Sequence, residues 1–342
     1  MRREIQFKLR LSFVLILKFT KLSSHYPPKN LGKIRFILLT VDYSPSKSKK
    51  SPNVPKHSPK KEINLIWQTP AGGYTDFEFE YITEVLFADF SQNRFFEHRS
   101  FKTVLDNSVI IYSNNNNYPH PFFFLYLEAF LRQGFRFSLL HLSNENLNHN
   151  CDYYVKAHHV FRNYFDTNIT AKNITYIPLG FQSGFFNREG KISFSDRSCE
   201  AAFIGEPKSD RAELIKALEK LDSAFIHTTK TWNCPTALSQ KECIEIYKRT
   251  KYLPCPKGYS SPDSFRICEA LEWGCIPILR RYGGEDYFQH IFPGHPFPTV
   301  ADWEEISRVI SESDYTTLSA ECADYYGRYK ATLKTRISQI LS

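Results

Sequence analysis

The stretch KYLPCPKGYSSPDSFRICEALEWGCIPIL (residues 251–279) reads, in order, as strand, loop, helix and strand. Tyr252-Leu253-Pro254-Cys255 is a short apolar run that stops at Lys257-Gly258. PDSFRICEALEWG (262–274) then carries apolar residues at helical spacing from Ser264 to Gly274, the start and stop residues that a helix prefers. CIPIL (275–279) is a second apolar run. A helix start leaves backbone N–H groups unpaired and bears partial positive charge. The loop that holds Lys257 and Ser264 is therefore a ready anion site, and it suits a diphosphate. Arg266, in the first turn, has the planar fork that grips phosphate oxygens. Glu269 follows three residues later on the same face, where a carboxylate can accept from a ribose diol. The plainer alternative is a packing unit in which Arg266 pairs with Glu269 at the surface, because serine-capped helices are common.

Strand and helix alternate on both sides of this stretch. Upstream lie AAFIG (201–205), a helix SDRAELIKALEKL (209–221) with a serine cap, a strand AFIHT (224–228) and a helix SQKECIEIYKRT (239–250). Downstream, ADWEEISRVI (301–310) and the amphipathic run from Thr317 to Leu341 close the chain as helices. The first half repeats the pattern. INLIW (63–67) is a strand, a helix runs from Thr75, VIIY (109–112) is a strand, PFFFLYLEAFLRQGF (121–135) is a helix, and RFSLLHL (136–142) is a strand. VFRNYF and ITYIPLGF (174–181) add two strand-like pieces before a polar, turn-rich break at 182–198. This predicts an α/β protein with two Rossmann-like, doubly wound domains facing a central cleft. The expected divisions are a basic leader and linker (1–61), a first α/β domain (62–190), a second α/β domain (199–310) and a C-terminal helix (311–342) that packs back across the domains.

Charge separates the leader from the body. Residues 1–61 carry 15 Lys and Arg against 2 acids, and the rest carries 29 against 34. A mildly acidic body argues against nucleic acid as a partner, since such proteins wear positive charge on the folded surface. MRREIQFKLR followed by LSFVLIL has the shape of a secretory signal or weak anchor, although no small-residue cleavage site follows, and an unstructured leader fits equally. SPSKSKKSPNVPKHSPKK (44–61) reads as linker. No apolar run reaches the roughly 18 residues of an ordinary membrane span. The 8 cysteines include no CxxC pair, and Asn168-Ile-Thr170 and Asn173-Ile-Thr175 are glycosylation acceptors if the chain is secreted.

The string P-x-G-x(5)-S-F-R-x-x-E-A-L-x-x-G-x-I-P-I, from Pro256 to Ile278, resembles the sugar-nucleotide motif of exostosin-type glycosyltransferases, and most of all the ribitol xylosyltransferase group. FIGEPKSDRAELIKAL, IYKRTKYLPCPKG, ADWEEISRVI and, in the first half, LLHLSNENLNHNCDYY with VFRNYFD and ITYIPLGF are also similar to segments of that family, so the resemblance covers about residues 63–340. It implies a two-domain GT-B fold and inverting transfer of a sugar from a nucleotide-diphosphate donor, UDP-linked in the first instance, to a glycan or glycoconjugate acceptor. It implies that Arg266 contacts the diphosphate and Glu269 the ribose, with Gly205 and Arg211 lining the cleft. It implies no cofactor and no metal, because a helix dipole and basic residues neutralise the leaving diphosphate. It also implies pairing with a second copy or a relative, and a Golgi membrane setting, for which a cytoplasmic chain is the alternative.

Inverting transfer needs a group to take the acceptor's proton. Glu145, directly after RFSLLHL, is the leading candidate, with an ordinary exposed loop acid as its plain reading. Asp76 and Glu78 are weaker candidates that also suit a helix start, and His141 and His158 are further ones. Arg162 either neutralises the departing phosphate from across the cleft or holds the two domains together; by the resemblance, the first is expected. The alternatives to a transferase are a non-catalytic glycan- or nucleotide-sugar-binding protein of the same architecture, and a basic-tailed scaffold.

Overall fold

The computed structural model describes residues 60–68, 75–113, 121–147, 151–231, 234–283 and 286–342. Nearly all of the leader, and with it the signal-or-anchor and linker readings, lies outside the described residues. The body is α/β, with two parallel sheets flanked by helices.

The first sheet is built from β1 (Glu62–Trp67), β2 (Ser91–Phe96), β3 (Ser108–Ser113), β4 (Phe137–Leu142), β5 (Val160–Arg162) and β6 (Ile174–Tyr176). They lie in the order β2-β1-β3-β4-β5-β6, with every pairing parallel. The second sheet is built from β7 (Cys199–Gly205), β8 (Ala224–Thr228), β9 (Thr250–Cys255), β10 (Ile276–Arg280) and β11 (Thr299–Val300). Its order is β11-β10-β9-β7-β8, again parallel throughout. In each sheet the strand order therefore reverses about its first strand, β2 lying on one side of β1 and β3 on the other, and β8 and β9 likewise about β7. Such a switch point opens a crevice at the carboxyl ends of the strands, where ligands of open α/β sheets bind.

The helices are α1 (Thr75–Glu80), α2 (Pro121–Arg132), α3 (Arg211–Leu218), α4 (Gln240–Lys248), α5 (Phe265–Glu272), α6 (Ile306–Glu312) and α7 (Tyr315–Ile340). Every residue of β3 and β4 is buried, as expected of strands covered on both faces. Alternate residues feed different cores. Leu65, Val109, Ile111 and Leu140 join one that continues into the second lobe, while Ile66, Ile110, Tyr112 and Leu139 pack on the other side with Phe123, Leu127 and Phe130 of α2. The shared core makes the two lobes one hydrophobic body. Helix α7 reinforces it: Tyr326 and Lys330 bond Glu272 in the second lobe at 3.0 and 2.7 Å, and the Ile340 carbonyl at its far end accepts from His158 in the first lobe at 2.8 Å.

Three local features differ from the sequence reading. β2 was not legible, because SQNRFF is a mostly exposed edge strand with no apolar alternation. The helix from Thr75 keeps α geometry only to Glu80 and continues over Tyr81–Leu86 as a π-helix, with the Phe87 N–H reaching the Ile82 carbonyl at 3.0 Å. Ser209 does not cap α3; it sits at φ 56° and the helix begins after Asp210. Ser239, by contrast, closes a full capping box with Glu242 on α4.

Candidate functional site

The carboxyl edges of the two sheets meet. From the first lobe, β4 runs out into Ser143-Asn144-Glu145. The Glu145 Oε1 accepts the backbone N–H of Ser260 at 2.7 Å and of Ser261 at 3.2 Å, in the loop before α5. Asn146 Oδ1 accepts the Ser260 hydroxyl at 2.7 Å. After β6, the Leu179 N–H donates to Asp263 Oδ2 at 3.0 Å. After β5, the Phe165 N–H donates to the Tyr287 hydroxyl at 3.1 Å.

At the switch point of the second sheet stand two arginines. Gly205 ends β7, and its φ of 144° is one that side chains rarely adopt. A Cβ there would lie 2.6 Å from Arg266 Nη2, so only glycine lets the guanidinium approach. Arg266 Nη2 donates to the Ile204 carbonyl at 2.8 Å, and its guanidinium lies 5.4 Å from the centre of the Phe203 ring. Beside it, Arg211 donates to the Lys257 carbonyl at 2.9 Å and the Glu206 carbonyl at 3.4 Å. Arg211 is 5% exposed and its Nε has no partner. Burial, with the Arg266 charge alongside, pushes its pKa down to about 10, so it stays cationic at neutral pH. Among the described residues neither arginine forms an ion pair with a carboxylate. Two adjacent guanidiniums fixed by backbone carbonyls form a concentration of positive charge.

A polar scaffold holds this loop. The Lys257 N–H donates to the Tyr282 hydroxyl at 3.1 Å, which donates to Asp210 Oδ2 at 2.5 Å, and Trp303 Nε1 donates to the same oxygen at 3.0 Å. The ammonium of Lys257 rests 5.9 Å from the centre of the Tyr282 ring.

Ser264 is the N-cap residue of α5, but its side chain makes no capping bond and its buried Oγ has no partner. The expected serine cap is therefore absent in substance, which leaves the helix start without a side-chain acceptor. Asp263, just before it, is buried with Oδ1 unpartnered, and burial pushes its pKa up to about 7. Glu269 is also buried rather than paired with Arg266 at the surface. It accepts only at the long distances of 3.4 Å from the Gln182 N–H and 3.5 Å from the Tyr247 hydroxyl. Burial raises its pKa to about 7, with the Arg266 charge acting against the rise.

The remaining sequence candidates separate. Arg162 corrects the expectation that it faces the cleft. It is fully buried in the first lobe, where it donates to the carbonyls of Asn163 and Tyr164 at 3.1 and 3.2 Å and to the Tyr154 hydroxyl at 3.0 Å. It thereby braces the turn in which Tyr164 is held at φ 60°. His141 is buried, stacked on Tyr112 and bonded to Tyr154, whereas His158 is exposed and tied to α7 through the Ile340 carbonyl. Asp76 falls in α1, and its side chain lies outside the described residues. Glu78 is 1% exposed with both carboxyl oxygens unpartnered, and burial pushes its pKa well above the usual range.

Sequence reasoning missed Asn144, Tyr164 and Asp263. The buried Asn144 amide has neither of its polar atoms bonded, and Tyr164 feels the carboxyls of Glu145, Asp263 and Glu78 together. Orphaned buried polar groups are rare and mark places where a ligand or water completes the bonding. No sequence pattern signals them. A separate cavity of about 820 Å³, lined by Cys151, His158, Asp166, Asn168 and Asn173 among others, includes none of the arginines.

No protein-family profile matches the chain. Among curated proteins, a probable glycosyltransferase of Arabidopsis thaliana is 31% identical over 97 residues, which is 27% of this chain and 17% of that protein. Part of the chain is glycosyltransferase-like. The alignment covers less than a fifth of that relative's length. Among solved structures, the Anabaena protein HepE in complex with UDP aligns over 82% of this chain and 99% of its own, at 13% identity and a TM-score of 0.49. An alpha1,3-fucosyltransferase aligns over 86% and 84%, at 11% identity and a TM-score of 0.39.

Proposed function

We propose that this protein is an inverting, exostosin-like glycosyltransferase that moves a hexosyl or pentosyl group from a UDP-linked sugar to a hydroxyl of a glycan or glycoconjugate. The observation that carries the reading is the pair Arg211 and Arg266, held by backbone carbonyls at a parallel-sheet switch point, beside a helix start that its N-cap side chain leaves open. The sequence likeness to a probable glycosyltransferase supports it.

In this reading the diphosphate lies against Arg266, Arg211 and the start of α5, near Lys257 and Ser264, with the ribose toward Glu269. The acceptor hydroxyl gives its proton to the Glu145 carboxylate as its oxygen bonds to the anomeric carbon. The bond from that carbon to the diphosphate breaks, and its electron pair leaves with the nucleotide. The guanidiniums and the helix start receive the charge that develops there, so the proposal invokes no metal.

A panel of nucleotide sugars tests the reading, scored by thermal shift and by release of nucleoside diphosphate with and without glycan acceptors. UDP is expected to raise the melting temperature, and one UDP-sugar to be turned over. A shift without turnover of any donor would indicate a binding protein of the same architecture. A melting temperature that no nucleoside diphosphate moves at millimolar concentration would end the proposal.

Gly205→Ala supplies a second check. The new methyl group displaces the Arg266 guanidinium, the movable end of a long side chain, so the main loss falls on binding. UDP affinity is expected to drop at least tenfold, while the strained φ costs the fold about 1–2 kcal/mol. Calorimetric titration of folded variant showing wild-type affinity would remove the close approach from the binding site.

A further inference from the structure

We propose that the backbone amides of Ser260 and Ser261 form a phosphate seat that the Glu145 carboxylate occupies until the donor's diphosphate displaces it. This rests on the transferase reading and deepens it, by naming the atoms that a phosphate takes and what must leave first.

Two successive N–H groups converge on one oxygen, Glu145 Oε1, at 2.7 and 3.2 Å, which is how backbone nests hold anions. The oxygen comes from the facing lobe, 115 residues earlier in the chain than Ser260. Gly258 makes room for it, since a Cβ at that position would lie 2.5 Å from Oε1. An independent observation sits alongside. Arg211 is nine-tenths buried, has an unpartnered Nε, and feels the Glu145 charge. The carboxylate thus stands where an anion is wanted, in place of a group that carries more charge and more acceptor oxygens.

A carboxylate and a phosphate cannot share these amides without like charges in contact, so the two compete. Whatever free energy seats Glu145 is subtracted from donor binding, and donor binding must loosen Glu145 to the same extent. Lifting Glu145 also undoes its tie between the 143–146 loop and the 258–261 loop and frees its carboxylate for the acceptor's proton. A residue that merely grips the donor behaves in the opposite way, because its loss weakens binding. A base that stands apart from the phosphate leaves donor affinity unchanged.

The test is calorimetric titration of the full chain with UDP, and separately with inorganic pyrophosphate. It compares wild type, Glu145→Gln and Glu145→Ala. Glu145→Gln removes the competing charge. Glu145→Ala removes the carboxylate altogether and leaves the seat empty. Each is expected to bind UDP roughly tenfold more tightly than wild type, a coupling of ordinary size. Turnover is expected to fall in Glu145→Gln. UDP affinity that is equal or weaker in Glu145→Gln would overturn the proposal, and Glu145→Ala carries the same test should the first variant fail to fold. A wild-type chain that binds no nucleoside diphosphate would instead remove the transferase reading, and the seat with it.

Discussion

Replacing Arg266 by alanine is expected to abolish the rise in melting temperature that UDP gives the wild-type chain. At a hundredfold excess over its dissociation constant, a ligand stabilises the native state by about 2.7 kcal/mol through mass action. Arg266 sits in the first turn of α5 with Gly205 cleared beneath it, and one of its nitrogens is already committed to the Ile204 carbonyl. Its remaining donors are free to fork onto phosphate. Without them the positive charge at the switch point falls to the half-committed Arg211 and the helix start. The folded protein should lose little, since the side chain is only partly buried and its one hydrogen bond is worth about 1 kcal/mol. Arg266→Lys is expected to recover only part of the shift, because an ammonium cannot match the planar fork. Arg211→Ala should differ by lowering the unliganded melting temperature too, as it releases the Lys257 and Glu206 carbonyls. Thermal shift with and without UDP separates the three. An undiminished UDP shift in Arg266→Ala would take the residue, and the donor site built on it, out of consideration.

The order of elements was legible because buried parallel strands and amphipathic helices impose apolar periods that survive in the sequence. The VIIY and FSLLHL runs are such strands, buried along their whole length. What the sequence did not disclose depends on contacts between distant segments. Arg211 and Arg266 are neighbours only because β7 and β9 pair at a switch point. Glu145 can be placed after a strand by pattern, but its bond to Ser260 belongs to the closure of two lobes. Arg162 shows the converse error. An arginine at a strand end reads as a ligand residue, and only the fold shows this one buried, with its Nε on the carbonyls of its own turn, Nη1 on the Tyr154 hydroxyl and Nη2 without a partner. Caps divide on the same ground. Ser239 has Glu242 three residues on and forms a local box, whereas Ser264 has no such partner and its hydroxyl is buried instead.

Stability is expected to fall as pH rises from about 5 to 8, and Glu269→Gln should remove part of that fall. Burial holds the Glu269 pKa at about 7, although the Arg266 charge opposes the rise. In the unfolded chain the same carboxyl ionises near the ordinary value of about 4.3. A group whose pKa is raised on folding contributes stability that is fully present below its unfolded value. That stability is lost as pH climbs through the folded value, where the native state must ionise it in the interior. For Glu269 the loss is at most about 4 kcal/mol once pH is well past 7. Asp263 titrates in the same window, with a pKa also near 7, and adds to the slope. Burial also pushes the Glu78 pKa well above the usual carboxylate range. Glutamine is nearly isosteric with the neutral acid and keeps an acceptor for the Gln182 N–H and the Tyr247 hydroxyl. At pH 5 the variant should therefore melt close to wild type. At pH 8 it should melt higher, by several degrees, because it has no charge to bury. Melting curves of the two proteins between pH 5 and 8.5 decide the matter, since groups common to both cancel in the difference. Parallel curves across that range would mean that Glu269 is ionised throughout and neutralised by Arg266. A guanidinium so occupied would have less charge to offer a diphosphate, and the same experiment would then count against the donor site as well.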